Sequence, residues 1–314
     1  MYPNGSGQPA GIITPMTDDR PVLRIGHSPD PDDAFMWWPL TGGEEGLGGG
    51  GLKNSRFRYQ PVLRDIESLN QASHTGELEI TAISCAQYPH VAETYVLTDC
   101  GSSIGDQQGP KIVSRTPMTA KDLKSPDVVL AVPGERTSAF AATSILLGPG
   151  SFRHAVVDFD QIIPKVAAGE FDAGLVIHEG QLTYVAAGLN LVADIGMWWS
   201  SRCGLPLPLG VNAIRRDLAE LHGPRSLEEV AADLRGSIDF ALKNRGPALA
   251  AAAKYARDAS PEQTEQFVGM YVNRWTLSLG RAGQAAVQAF LGEIHNAGLG
   301  PDPGEVDFIG PGDG

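Results

Sequence analysis

At 314 residues the chain is long for a single hydrophobic core, and its length points to two domains. Apolar residues make up 42% and charged residues 19%, the balance of an ordinary globular protein and not of an intrinsically disordered one. With 37 acidic against 24 basic residues the net charge is −13, which argues against a nucleic-acid groove and its clustered Lys and Arg. A small anionic ligand remains compatible, because a few local amides or one Arg outweigh a diffuse acidic surface at close range.

Three cysteines, Cys85, Cys100 and Cys203, are odd in number and far apart, with no zinc spacing. They read as buried structural thiols of a reducing compartment. The first twenty residues are rich in Gly, Pro and polar side chains and read as a disordered leader, with no basic or apolar region of a secretory signal. No apolar run approaches membrane-spanning length. A cytoplasmic protein with neither nucleic-acid nor membrane partners is the expectation.

In chain order, 22–26 reads as a strand running into His27-Ser28-Pro29-Asp30-Pro31-Asp32-Asp33, a rigid turn able to cap a helix. That helix is expected from near Asp33, carrying Phe35, Met36 and Trp38 into the core. The three aspartates lack the Asp-x-Asp-x-Asp-Gly pattern of a cation loop, so turn and cap chemistry explains them better than a metal. Residues 42–51 form a Gly-rich low-complexity loop without a phosphate-cradle pattern. A strand over 57–63, a helix over 66–74 and a strand over 79–84 make a β-α-β unit ending at Ser84.

Residues 111–114 read as a short strand and 128–134 as a fully apolar one, as in a sheet covered on both faces. The following helix has Thr137 and Ser138 as natural caps. A helix start after a strand offers free amides and a positive dipole end, suited to a carboxylate or phosphate, although Thr-Ser is also an ordinary cap. After a helix over 162–169, residues 174–177 read as a short buried strand with His178 at its end. In open α/β sheets ligands lie beyond the carboxyl ends of strands, and imidazole titrates near neutrality. A polar residue closing a strand can equally bond to a neighbouring loop. Glu179 points to the opposite face and is expected to pack or cap the next turn.

Residues 191–195 and a Trp198-Trp199 pair come next; such tryptophans, like Trp37 and Trp38, could stack on a flat ring but more usually pack in a core. The Pro-rich segment 204–214 runs extended. Helices are expected over 227–243, 248–257, 261–271 and 282–297, with Pro261 in a first turn after Ser260. The pattern is two clusters of alternating strands and helices joined by extended segments near 109–114 and 205–213, followed by a helical tail.

Several of these stretches together resemble the 1,4-dihydroxy-6-naphthoate synthase family of the futalosine route to menaquinone. They are Ser28-Pro29-x-Pro31-x-Asp33-x-Phe35, Val132-Pro133-Gly134 with Arg136-Thr137-Ser138-Ala139, and Ala173-Gly174-Leu175-Val176-Ile177-His178-Glu179. Gly204-Leu205-Pro206-Leu207-Pro208-Leu209-Gly210 and Tyr271-Val272-Asn273 complete the set. The resemblance implies an α/β, two-lobed type II periplasmic-binding-protein-like fold with a cleft between lobes and a helical C-terminal part. Lobe 1 would be discontinuous, 21–110 and 212–314, with lobe 2 over 111–211.

It further implies a lyase that converts cyclic dehypoxanthine futalosine to 1,4-dihydroxy-6-naphthoate, breaking away the ribose-derived part as the naphthalene aromatises. The family's general base falls on His178, and its substrate-holding positions on Ser138 and Ala139, with Thr137 adjacent, and on Ala82, Ile83 and Ser84. No metal or organic cofactor is implied, the partner is a small carboxylated molecule, and a homodimer is left open. Where family members often carry Cys and Asn in the first turn, this chain has Asp30 and Asp32; where they can carry Lys, it has Ala82. Arg136 or the helix amides would then neutralise an acidic substrate. Two alternatives stand beside this reading: a non-catalytic binder of a small carboxylate or aromatic anion, and a related futalosine-pathway enzyme such as chorismate dehydratase.

Overall fold

Short strands dominate the first third of the chain because β-branched and aliphatic residues recur between turn-forming Gly, Pro and Asp. In the structure, a computed structural model that describes residues 19–42, 55–257 and 259–310, five of them come first. They are β1 (Val22–His27), β2 (Arg58–Leu63), β3 (Ile80–Ser84), β4 (Tyr95–Thr98) and β5 (Ser103–Gly105). The expected leader over 1–20 and Gly-rich loop over 42–51 lie outside the described residues, except for Asp19, Arg20 and Gly42.

The next five are β6 (Lys111–Ser114), β7 (Val129–Val132), β8 (Arg153–Val156), β9 (Ala173–Val176) and β10 (Asn190–Asp194). They form a separate sheet of order β10-β6-β9-β7-β8, in which β7 runs parallel to β8 and β9 while β6 is antiparallel to β9. The chain then returns to the first sheet with β11 (Leu207–Arg215) and, near its end, β12 (Phe308–Ile309). That larger sheet has the order β12-β4-β11-β3-β1-β2, with β5 paired to β11. Each sheet anchors one lobe. The short strand expected over 111–114 is β6, and the extended connection expected over 205–213 largely becomes β11 of the larger sheet.

Helices cover both sheets. Asp30 accepts from the Asp33 amide as N-cap of the Pro31–Thr41 helix, Pro31 occupies its first turn, and Gly42 closes it at φ 70°. The helix therefore begins two residues earlier than expected, and it is Trp37, not Trp38, that is fully buried with Phe35 and Met36. Trp38 stays half-buried against Phe240. Below this helix lie Ser226–Lys243 and Arg245–Ala252. The expected helix over 248–257 stops at Ala252 and continues as one tight turn, Ala253–Tyr255, after which Arg257 adopts a left-handed φ of 45°. Pro261–Tyr271 starts as expected at Ser260, with a full capping box through Gln263.

In the smaller lobe, the Phe159–Ala168 helix lies so close to β9 that a Cβ on Gly174 would sit 2.5 Å from Ile162. Glycine is what lets helix and strand meet there. Cys85 and Cys100 are buried free thiols whose pKa burial pushes up, that of Cys100 to about 12, so they act as small apolar groups. Among the described residues no helix is long and apolar enough to cross a membrane.

Candidate active site

The parallel strands β1 and β3 of the larger sheet and β7 and β9 of the smaller one deliver their following residues to one cleft between the lobes, with a cavity of about 100 Å³. His178 lines it. It stands two residues beyond β9 in a left-handed conformation, φ 50°, which His tolerates better than most residues. Its side chain is 17% exposed, and its Nδ1 lies 3.1 Å from Oδ2 of Asp30, which is 4% exposed and belongs to the other lobe. Phe159 packs against the ring edge-on, 4.8 Å between centroids. Hydrogen bonding to a carboxylate puts a proton on Nδ1 and leaves Nε2 as the nitrogen able to take another.

Burial opposes charge on this imidazole, but the charge and hydrogen bond of Asp30, helped by Glu179, outweigh it and raise its pKa. For Asp30, burial likewise opposes ionisation, and the imidazole charge and hydrogen bonds overcome it, lowering the carboxyl below its ordinary value. The N-terminus of the helix that Asp30 caps favours the same ionised state. The aspartates read as turn and cap chemistry thus include a charge partner. Asp30 does cap, and it also holds the imidazole.

Asp32 and Asp33 titrate the opposite way. Burial first, then the negative charge of Asp30, raises both well above the usual carboxylate value and so opposes their ionisation beside Asp30. Asp33 accepts from the Ser28 amide at 2.8 Å. Asp32 lines the cleft and accepts from the Ser103 hydroxyl at 3.3 Å. No group of three or more His, Cys, Asp or Glu side chains poised to hold a metal ion occurs among the described residues.

Across from His178 the smaller lobe presents the start of the Ser138–Leu147 helix. Thr137 is its N-cap, accepting from the Phe140 amide and donating to the Gly134 carbonyl. The Ser138 hydroxyl is also committed, donating to Leu209 O at 2.7 Å and accepting from the Ala86 amide. Their hydroxyls are taken; what this corner offers a ligand is the Ser138 and Ala139 amides, which have no partner within the helix.

On the larger sheet Ala82 and Ser84 face the cleft, whereas the intervening Ile83 side chain points into the core beneath. Ser84 accepts from the Asn70 side chain at 3.0 Å, which leaves its own O–H free to donate. Arg136 does not enter the cleft: it pairs with Glu67 at 3.0 Å, between the lobes. None of the tryptophans lines the cleft, and Trp199 is buried against Phe290.

Other groups emerge only in three dimensions. Tyr271, kept neutral by burial, donates to Gln181 across the cleft at 2.8 Å. Arg257 reaches from the larger lobe to Glu179 at 2.9 Å and stacks over Phe159 at 4.5 Å. Asn212 lies on the cleft face of β11. Tyr271 belongs to a stretch that already stood out, and an Asn inside an apolar Pro-rich strand was a signal for a functional polar group. Arg257 gave none.

A family profile described as menaquinone biosynthesis matches residues 23–296. The chain belongs to that family. Among curated proteins it is 37% identical to a 1,4-dihydroxy-6-naphthoate synthase of Thermus thermophilus, over 88% of this chain and 96% of that one. It is 33% identical to one of Streptomyces coelicolor, over 89% and 95%. A crystal structure of an Archaeoglobus fulgidus protein superposes with a TM-score of 0.79 at 36% identity, covering 88% of this chain and 98% of that one. The alkanesulfonate-binding protein of Xanthomonas axonopodis superposes at 0.64 with 14% identity, over 91% and 96%, a likeness of fold alone. The menaquinone-family chain therefore has the two-lobed periplasmic-binding-protein fold, with His178 at its inter-lobe cleft.

Proposed function

We propose that this protein is a 1,4-dihydroxy-6-naphthoate synthase, a cytoplasmic lyase that converts cyclic dehypoxanthine futalosine to the naphthoate, with His178 as general base. The observation that carries the reading is the imidazole at the cleft with Nδ1 held by ionised Asp30, so that Nε2 is oriented and its protonated state stabilised. Nε2 removes a proton from the substrate, and the released electron pair drives cleavage of the bond to the ribose-derived part. A positioned base contributes on the order of 10²–10⁴-fold. The substrate carboxylate anchors on the Ser138 and Ala139 amides, where the helix dipole compensates for the missing cation at Ala82, and on the free hydroxyl hydrogen of Ser84.

Closure of the two lobes excludes water, and the Tyr271–Gln181 and Arg257–Glu179 contacts support the closed arrangement. Incubation with cyclic dehypoxanthine futalosine, with product followed by mass spectrometry, tests the reading. Formation of the naphthoate is expected; binding without turnover sinks it in favour of a non-catalytic binder.

A further inference from the structure

The larger-lobe wall of the cleft carries polar atoms that the base and the carboxylate anchor do not use. Asn212 is 2% exposed, and its amide orientation is set because Nδ2 donates to Gly101 O at 2.7 Å. Gly101 has φ 79°, and a Cβ there would meet Asn212 Nδ2 at 2.5 Å, so a glycine is needed for that contact. Asn212 Oδ1 is consequently a buried acceptor, and no described residue donates to it. Asp32, 6% exposed, has one oxygen on Ser103 and its other, Oδ1, without a donor, while its carboxyl also shares a side-chain hydrogen bond with Asp30. Leaving a buried polar atom unmatched is costly, so its presence at the wall of a cleft points to a ligand.

Strand register places these atoms together. Gly210 of β11 stands opposite Ser103 on one side and Ser84 on the other, and Asn212, two residues on, projects from the same face opposite Ala82. Diagonal neighbours in such a ladder lie about 7–8 Å apart, the reach of adjacent hydroxyls on one small ring. Unmatched acceptors require donors. A carboxylate or carbonyl cannot supply one, and ionised Asp30 nearby repels an anion, whereas a hydroxyl satisfies Asn212 as donor and Asp32 in either protonation state.

We propose that Asp32, Ser103 and Asn212 form a subsite for an uncharged, hydroxyl-bearing part of the substrate, which turns the carboxylate toward the Ser138 and Ala139 amides. The inference rests on the synthase reading for the identity of that part, the ribose-derived portion. It also assigns a use to Asp32: at this edge of the cleft a carboxyl whose ionisation is opposed by burial and by Asp30 can pair with a hydroxyl as donor or acceptor.

The test compares wild type with Asn212→Leu and with Asp32→Asn, which keeps the side-chain shape. Two probes are titrated: cyclic dehypoxanthine futalosine, and 2-naphthoate, which has the fused rings and carboxylate but no hydroxyl. Asn212→Leu should weaken binding of the first by about tenfold or more and Asp32→Asn by about threefold to tenfold, with 2-naphthoate changed by less than about twofold. Parallel loss of both probes, or no loss of either, overturns the subsite, and Asp32→Asn carries the test if Asn212→Leu does not fold. Wild-type turnover with affinity independent of both positions sinks the subsite alone. Absence of turnover with position-dependent binding sinks the synthase reading alone, and no binding of the futalosine derivative by wild type overturns both.

Discussion

The two walls of the cleft differ in charge. The smaller lobe contributes the positive side: the helix start at Ser138 and Ala139 and the His178 imidazole. The larger lobe contributes Asp30, Asp32 and the Asn212 acceptor, with the hydroxyls of Ser84 and Ser103 beside them. A substrate with an acidic ring at one end and neutral hydroxyls at the other is matched by such a pair of walls, whereas a plain anion receptor has no need of the acidic one. On the proposed reading the base is assembled from both lobes. The buried His178–Asp30 pair spans the two lobes, so on the proposed reading closure of the walls would also ready the base.

Removing the proposed base breaks the contrast hardest. Because His178 sits at φ 50°, Asn is the replacement that keeps the backbone comfortable. His178→Asn should lower kcat/KM by about 10²-fold or more with an unchanged melting profile, measured by naphthoate formation and calorimetry. Asp30→Asn is expected to be milder, about tenfold to a hundredfold in kcat, since Asn still caps the Pro31–Thr41 helix.

Its pH profile is the sharper readout. The raised imidazole must be deprotonated to act, so wild-type kcat/KM should rise with pH through an apparent pKa above that of ordinary imidazole. Without the Asp30 charge, burial is left as the main influence and the acid limb should move to lower pH. An unmoved limb would show that Asp30 does not hold the base.

The next effect is expected at the latch. Arg257 is the larger-lobe cation that reaches onto the smaller lobe, contacting Glu179 and the Phe159 ring that packs on His178. Arg257→Ala should raise KM about threefold to tenfold with a smaller change in kcat, because closure is weakened while Asp30 still orients the imidazole. A fall confined to kcat would instead place Arg257 in the chemical step.

Much of this site was legible in local sequence. His178 stood out because an apolar strand ends beside it, and Thr137 because a cap follows a fully apolar strand. The Asp30–His178 pair was not legible, since the partners lie in different lobes and cap chemistry already accounted for the aspartate. Trp37, and not the expected Trp38, is the fully buried one because adjacent helix positions differ by about 100° in direction, and a short helix with apolar residues on several sides leaves its buried face undetermined. β8 escaped notice for a related reason. As a half-exposed edge strand, Arg153–Val156 shows no clean alternation.

The smallest expected effect concerns a second arginine–glutamate pair between the lobes, and it separates contact from function. Arg136–Glu67 is as short as the Arg257 latch, 3.0 Å against 2.9 Å, but the Arg136 side chain is 46% exposed and touches nothing that lines the base. Exposed pairs contribute about 0–1 kcal/mol and fade with salt. Arg136→Ala should therefore change kcat/KM by less than about threefold, and raising ionic strength should erase the difference. If the loss were tenfold and persisted in high salt, Arg136 would have to neutralise the substrate directly, and the positive wall would be built on a guanidinium where the amides alone now suffice.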